Sequence, residues 1–203
     1  MPKLTEQQQM DRRMVILAAA EACFSRKGFH PTTMQDICRE AGVSPGALYL
    51  YFKSKEALIA GICERDRAEV VGGIAQIEAL PNLLDGLKQM LIHYCVNEPV
   101  SRMRLMLEIY AEANRNPAVA LSVHETDRQI NGRFRALVQQ GIQDGRLIAK
   151  GDPDLIIDSL MMLSDGVLWR RAVDPTFDAA RFIDGLFILI RSNLLTQKSD
   201  IVP

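Results

Sequence analysis

The chain has 203 residues, with 24 Lys and Arg against 25 Asp and Glu and a formal net charge of −1. Hydrophobic residues make up 48% and charged residues 24%, a globular balance that excludes collagenous and disordered chains. The near-neutral total also excludes a protein that is basic all over, the commonest signature of a nucleic-acid binder.

No stretch approaches the ~18 consecutive apolar residues of a membrane span, and the start of the chain is polar and lacks the apolar core of a signal peptide. Cys23, Cys38, Cys63 and Cys95 lie far apart and form no Cys-x-x-Cys pair, and His30, His93 and His124 do not cluster with them. A disulfide framework or a zinc site is therefore not expected. Neither a metal nor a cofactor is expected. Free thiols without an export signal point to the cytoplasm. Small buried hydrophobes on helices explain the cysteines better than redox sensing does.

In chain order the periodicity is helical almost throughout, and no alternating run marks a strand. A first helix runs roughly from Asp11 to the breaker at Gly28–Pro31. Thr33 with Asp36 fits a capping box, so a short helix is expected from Thr33 to Ala41. Gly42 follows where a left-handed C-cap is needed, with Val43 as an apolar pin in the turn. Ser44-Pro45 sets a cap before a proline at the first helical position. The next helix runs from Ser44 to Phe52, with Leu48 and Phe52 on its inner face. Ser54 caps a long segment that fades near Pro81. Pro99, Asn116-Pro117, Gly145, Asp152-Pro153 and Asp174-Pro175 divide the remainder. The expected fold class is all-α with about nine helices, three short ones first and six longer ones after.

Residues 33–52 therefore read as two short helices joined by a glycine turn, the plan in which the second helix enters the DNA major groove. The same shape also occurs as an inert packing unit. The outer residues argue otherwise. Ser44, Pro45, Gly46 and Ala47 are all small, so DNA can approach the backbone closely, and the amides of this helix start suit a phosphate. Tyr49 and Tyr51 offer hydroxyls to phosphate oxygens. From Ala41 to Lys55 there are two lysines and no acidic residue.

Three stretches carry a resemblance: Phe24-Ser25-Arg26-Lys27-Gly28-Phe29, Thr32-Thr33-Met34-Gln35-Asp36-Ile37, and Ala41 through Leu58 with Ala-Gly-Val-Ser and Leu-Tyr-Leu-Tyr-Phe-Lys-Ser-Lys-Glu. Over roughly the first 60 residues the chain closely resembles the DNA-binding head of the TetR (tetracycline-repressor-like) family. The resemblance implies a helix-turn-helix domain at residues 1–56 and a helical effector-binding and dimerisation domain at residues 57–203. It also implies a homodimeric transcriptional regulator, most often a repressor released by a small ligand. Carried over position by position, Thr33 would cap the second helix against a phosphate. Ser44, Tyr49, Tyr51 and Lys55 would clamp the DNA backbone. Gln35, Pro45, Gly46 and Ala47 would face base edges. The third helix departs from the usual base readers, for it has no Arg, Asn or Gln. Sequence reading would rest on Gln35 or Arg39 from the preceding helix, on Ala47 against a thymine methyl, and on DNA shape.

In the body, Met103, Met106, Leu107 and Tyr110 share one helix face. Ile156, Leu160, Leu163 and Val167 form a stripe at core spacing, while Asp158, Met162, Asp165 and Trp169 line another side. The last helix carries Phe182, Ile183, Leu186, Phe187, Leu189, Ile190 and Leu194, too much apolar surface for one stripe. The last two long helices are therefore expected to pack on a second copy, giving a two-fold homodimer that binds a palindromic double-stranded operator. The family suggests an inducer pocket for a small hydrophobic or aromatic effector, with Met90, His93, Tyr94, Met103, Met106, Tyr110, Met162, Asp165 and Trp169 as candidate lining. A methionine or aromatic at helical spacing is also ordinary core.

Two readings compete. A helical carrier of apolar ligands without DNA binding would not need Tyr49, Tyr51 and Lys55 together. A helical enzyme finds no nucleophile elbow, phosphate loop, zinc-helix motif or dinucleotide glycine pattern. Asp158 and Asp165 are expected to pair with Arg170, Arg171 or the second subunit rather than to catalyse. Residues 1–56 hold eight basic and six acidic residues, so the head is only modestly positive. The DNA surface is marked by a local absence of acids rather than by total charge.

Overall fold

The computed structural model describes residues 5–197; Lys3, one of the head's eight basic residues, lies outside them. The described residues form nine α-helices: α1 Glu6–Lys27, α2 Met34–Ala41, α3 Pro45–Tyr51, α4 Lys55–Glu78, α5 Leu83–Ile92, α6 Val100–Ala113, α7 Pro117–Gln143, α8 Pro153–Val173 and α9 Ala179–Asn193. A π-helical turn, His93–Asn97, follows α5. Two short strands, β1 Leu147–Ala149 and β2 Leu195–Gln197, pair antiparallel with Leu147 opposite Gln197. These strands correct the expectation of none. Three residues are too few to display period-two alternation, and the pairing joins segments remote in sequence.

The expected caps form, and they set the helix starts. Ser44 Oγ accepts from the Ala47 amide at 3.2 Å, Ser54 Oγ from the Ala57 amide at 3.3 Å, and the Asp152 carboxylate from the Asp154 amide at 3.0 Å. The first helix begins earlier than Asp11 and is 22 residues long, not short. Thr5 and Gln8 close a capping box, with the Thr5 amide donating to Gln8 Oε1 at 2.9 Å. That turn is polar, so apolar periodicity could not reveal it.

The chain divides into two compact units. One runs up to Asp66 and takes in Arg104–Thr126; the other comprises Arg67–Met103 and the residues from Asp127 onward. Helices α4, α6 and α7 each contribute residues to both. The first unit is built on Ile16, Leu17, Ala20, Phe24, Ile37, Leu48, Leu58 and Ile62, closed by Leu105, Ile109, Val119 and Val123. The head's core thus draws on α6 and α7 as well as on the first 56 residues. Gly61 on α4 lets that core close, since a Cβ there would lie 2.8 Å from both Leu17 and Phe52 side-chain carbons. The second unit has its own core, including Ile74, Leu83, Leu84, Leu137, Val138, Ile157, Ile183 and Phe187. On α8 the expected inner stripe is seated there: Ile156, Leu160 and Val167 are buried, and Leu163 packs against them.

Candidate nucleic-acid interface

The α2–turn–α3 segment is fixed by its own side chains. Thr33 Oγ1 accepts from the Asp36 amide at 3.1 Å, and the Asp36 carboxylate accepts from the Thr33 amide at 3.0 Å. Lys27 pairs with Asp36 at 2.9 Å. Lys27, then the Thr33 amide and hydroxyl, hold the Asp36 carboxyl far below the usual carboxylate range. At the other end Gly42 has φ +65°, and a Cβ added there would meet nothing within 4 Å, so an L side chain would be strained by conformation and not by crowding. The Val43 amide then donates to the Cys38 carbonyl at 3.1 Å. Leu48 and Phe52 are buried, at about 1.5–3 kcal/mol each for an apolar side chain of this size. Their burial turns the opposite side of α3 outward.

That outer side is small and polar at its start. Ser44, Pro45 and Gly46 are exposed and Ala47 half-buried. Ser44 Oγ is engaged only as an acceptor from Ala47 within this cap, which leaves its hydroxyl hydrogen to donate to a phosphate. A Cβ at Gly46 would meet nothing within 4 Å. Among the described residues neither packing nor backbone conformation requires glycine there, although glycine costs a helix about 1 kcal/mol relative to alanine. Tyr49 is exposed, whereas Tyr51 is half-buried and packs against the core of the first unit. Gln35 and Arg39 of α2 are exposed, and Thr33 caps α2 at the surface.

Lys55, which the resemblance implies as a phosphate clamp, is also engaged within the chain. Its ammonium donates to the Phe29 carbonyl at 2.6 Å and the His30 carbonyl at 3.0 Å, and lies 4.4 Å from the Phe29 ring centroid. Two of its three donors hold the turn before α2. Leu50 is the surface residue that sequence reading passed over: it is 78% exposed on α3 beside Tyr49. An apolar side chain on the outer face of such a helix suits a thymine methyl or a sugar. Its signal lay in the helical position alone, between two tyrosines already singled out. Lys53 donates to the Tyr49 carbonyl and closes the C-terminal end of α3.

The nine candidate effector residues divide between the two units, two in the first and seven in the second. Met106 and Tyr110 belong to the first unit, where Tyr110 packs against its core. In the second unit Met90 and Tyr94 approach Gly73 of α4, each 3.8 Å from its notional Cβ. Met103 is buried, and its sulfur receives a 3.6 Å contact from Arg171. His93 is exposed. Met162, Asp165 and Trp169 lie on the exposed side of α8, with Met162 76% exposed. They do not line an interior pocket within their unit, because the stripe from Ile156 to Val167 takes the core side of the helix. A surface groove of about 440 Å³ on α9, lined by Phe177, Phe182, Gly185, Leu186 and Leu189 among others, contains none of the nine. Asp158 pairs with Arg135, which also holds Asp154 at 2.6 Å; Arg170 pairs with Asp174 and Arg171 donates to the Val96 and Glu98 carbonyls. Within the chain, Asp158 therefore finds its cation on α7 rather than on its own helix.

Comparison with known proteins fits this geometry. Residues 16–62 match the family described as bacterial regulatory proteins, tetR family, and residues 84–193 match the C-terminal domain of BetI-type transcriptional repressors. The chain is 30% identical over 179 residues to the HTH-type transcriptional regulator UidR of Escherichia coli strain K12, covering 88% of this chain and 90% of UidR. Among solved structures, Salmonella enterica GusR superposes with a TM-score of 0.77 at 31% identity, covering 95% of this chain and 99% of GusR. SmeT, the repressor of the Stenotrophomonas maltophilia multidrug efflux pump SmeDEF, superposes at 0.72 with 25% identity, covering 94% and 93%. SmeT has also been solved in complex with triclosan. Among the described residues no helix is long and apolar enough to cross a membrane. The chain belongs to the TetR family, as a helix-turn-helix transcriptional regulator that binds DNA and not as an enzyme.

Proposed function

We propose that the protein represses transcription in the cytoplasm by binding a palindromic operator as a homodimer, and that a small hydrophobic or aromatic effector releases it. The observation that carries the reading is the exposed start of α3. Ser44, Pro45, Gly46 and Ala47 form a low, acid-free surface at a helix N-terminus, and nothing among the described residues requires a glycine at Gly46. Such a surface lets amides reach phosphates and brings the helix close to base edges. In this reading Thr33, Ser44, Tyr49 and Tyr51 position the head on the backbone, and Gln35, Pro45, Gly46 and Ala47, with Arg39, read the bases. The absence of Arg, Asn and Gln from α3 puts much of the selectivity on Gln35 and on DNA shape.

Dimerisation through α8 and α9 would present that surface twice, about 34–36 Å apart if the two heads enter successive major grooves. The BetI-type match supports the repressor sense, and the SmeT–triclosan complex supports an apolar effector. Met90 and Tyr94 over Gly73 are the best placed of the candidate contacts. Release would follow from linkage: an effector that prefers a conformation with misplaced heads lowers DNA affinity by its differential binding.

Fluorescence anisotropy on the flanking DNA of its own gene and on random DNA tests the reading. The wild type should prefer the former, and affinity for both should fall with salt. Gln35→Ala should narrow the gap between the two by about 1–3 kcal/mol, whereas Tyr49→Phe should weaken both alike. An unchanged gap in Gln35→Ala would remove Gln35 from the base-reading set.

A further inference from the structure

Within the second unit, four charged or ligating side chains from α4, the π-helical turn with its C-cap, and the start of α6 meet at the surface. Glu69 comes from α4, His93 from the π-helical turn, Glu98 from the residue that ends it, and Arg102 from the first turn of α6. Arg102 divides the two carboxylates in the same way. It binds Glu69 Oε2 at 2.7 Å and Glu98 Oε2 at 3.1 Å. The other oxygen of each, Oε1, faces His93 Nε2, at 3.8 Å for Glu69 and 3.7 Å for Glu98. These separations are too long for hydrogen bonds. Two donors bound to one zinc ion at about 2.0–2.2 Å lie about 3.4–3.8 Å apart at tetrahedral or wider angles. The three donor atoms all lie within 4.8 Å of one another. The His93 ring is steadied edge-on by Tyr94, with centroids 4.9 Å apart.

We propose that Glu69, His93 and Glu98 form a binding site for a divalent cation, with Zn²⁺ the best match, and that Arg102 positions the two carboxylates. One imidazole and two carboxylates are an accepted donor set for zinc, and a solvent molecule would fill the fourth position. Arg102 acts as the outer partner that metal-bound carboxylates commonly have. Its single positive charge leaves the group net negative with His93 neutral, so a dication is attracted. Glu69 lies on α4, while His93 and Glu98 sit at the two ends of the π-helical turn, five residues apart; they follow no short metal-binding motif, which is why spacing alone did not reveal them.

The test is calorimetric titration of Zn²⁺ into EDTA-stripped full-length protein, followed by Co²⁺ substitution read in the visible spectrum. One equivalent should bind, and the Co²⁺ complex should show bands of a nitrogen–oxygen site. His93→Ala and Glu69→Gln should each weaken binding by about tenfold or more, and Arg102→Gln by about 10–100-fold. His93 and Glu69 are on the surface and Arg102 is half-buried, and circular dichroism would verify that each variant folds. Zn²⁺ should raise the melting temperature of the wild type and not of His93→Ala. No saturable uptake, equal uptake by wild type and His93→Ala, or a thiolate charge-transfer band would overturn the site. Tighter binding in Arg102→Gln would overturn the positioning role of Arg102.

Discussion

Two aspartates show how differently single carboxyls are treated. Asp36 is held low by Lys27 and by the Thr33 amide and hydroxyl. Its contribution to stability is present at neutral pH and is lost only in strong acid, as pH falls through its depressed value. Asp165 keeps much of its surface in solvent, yet its carboxyl is pushed above the usual carboxylate range, first by desolvation among its neighbours and then by the Asp127 carboxylate. A raised value means that the folded chain holds this proton more tightly than the unfolded chain. The stability it contributes is complete below the unfolded carboxylate range and is lost as pH rises through the folded value. Asp165→Asn should therefore raise the melting temperature at pH 7 and have little effect at pH 3. Solvent screening keeps the gain below about 1 kcal/mol, or at most about 2–4 °C for a chain of this size. A larger effect at pH 3 than at pH 7, read by thermal denaturation at both values, would contradict the assignment. The cysteines need no such role: all four are buried, and burial pushes the Cys95 thiol up to about 12, far from the thiolate form that reacts.

At the scale of elements, the turn between α1 and α2 is held from both sides of its backbone. The Phe29 amide donates to the Glu108 carboxylate at 3.1 Å, while the Phe29 and His30 carbonyls accept from Lys55. Glu112, buried, lies 3.0 Å from His30 Nε2 and accepts from Arg115 Nε at 2.9 Å. Helices α4 and α6 thus fix the approach to α2. This separates two roles for Lys55. A phosphate ligand, when removed, lowers the salt dependence of DNA binding by about one counterion; a residue that pins the turn does not. Lys55→Met, which keeps the stem on Phe29, should weaken operator and random DNA alike, leave the salt slope unchanged and lower the melting temperature. A slope reduced by about one with unchanged stability would support the phosphate clamp instead. Glu108→Ala should lose about 0.5–1.5 kcal/mol, because it removes a hydrogen bond from the partly buried Phe29 amide. The caps of this region were legible in sequence, since Thr33 with Asp36 and Ser44 with Pro45 act over three residues. The partners of Lys55 were not, because 25 or more residues of chain separate them. On α8 the core-spaced stripe of Ile156, Leu160, Leu163 and Val167 was legible from spacing, but whether Met162, Asp165 and Trp169 on the other side line a pocket was not. Only the burial of Ile156, Leu160 and Val167 turns Met162, Asp165 and Trp169 out.

At the scale of the molecule, that outward stripe is what the reading of a dimer rests on. Leu155, Met162, Trp169 and Val173 on α8 are 66%, 76%, 50% and 66% exposed, and Phe182, Ile188 and Leu189 on α9 are 45%, 66% and 60% exposed. Their spacing on α8, seven, seven and then four residues, keeps them on one face. Gly166 and Gly185 on the same two helices have nothing within 4 Å of a notional Cβ, so a second helix could approach them closely. So large an apolar face on a globular chain marks an interaction surface. A two-fold contact brings each residue near its own copy or a neighbour, so a charge placed there is confronted with its like. Met162→Lys with Leu189→Lys should leave the single chain folded, because both side chains are exposed and contribute little to its core. Light scattering should then report 22.7 kDa in place of twice that mass. Operator affinity should collapse towards that of one head, because the second head no longer benefits from effective concentration, a factor of about 10²–10⁴. Binding to random DNA by a single head should fall much less. A double variant that stays dimeric and keeps its operator affinity would move the interface away from α8 and α9, and with it the expected spacing of the half-sites.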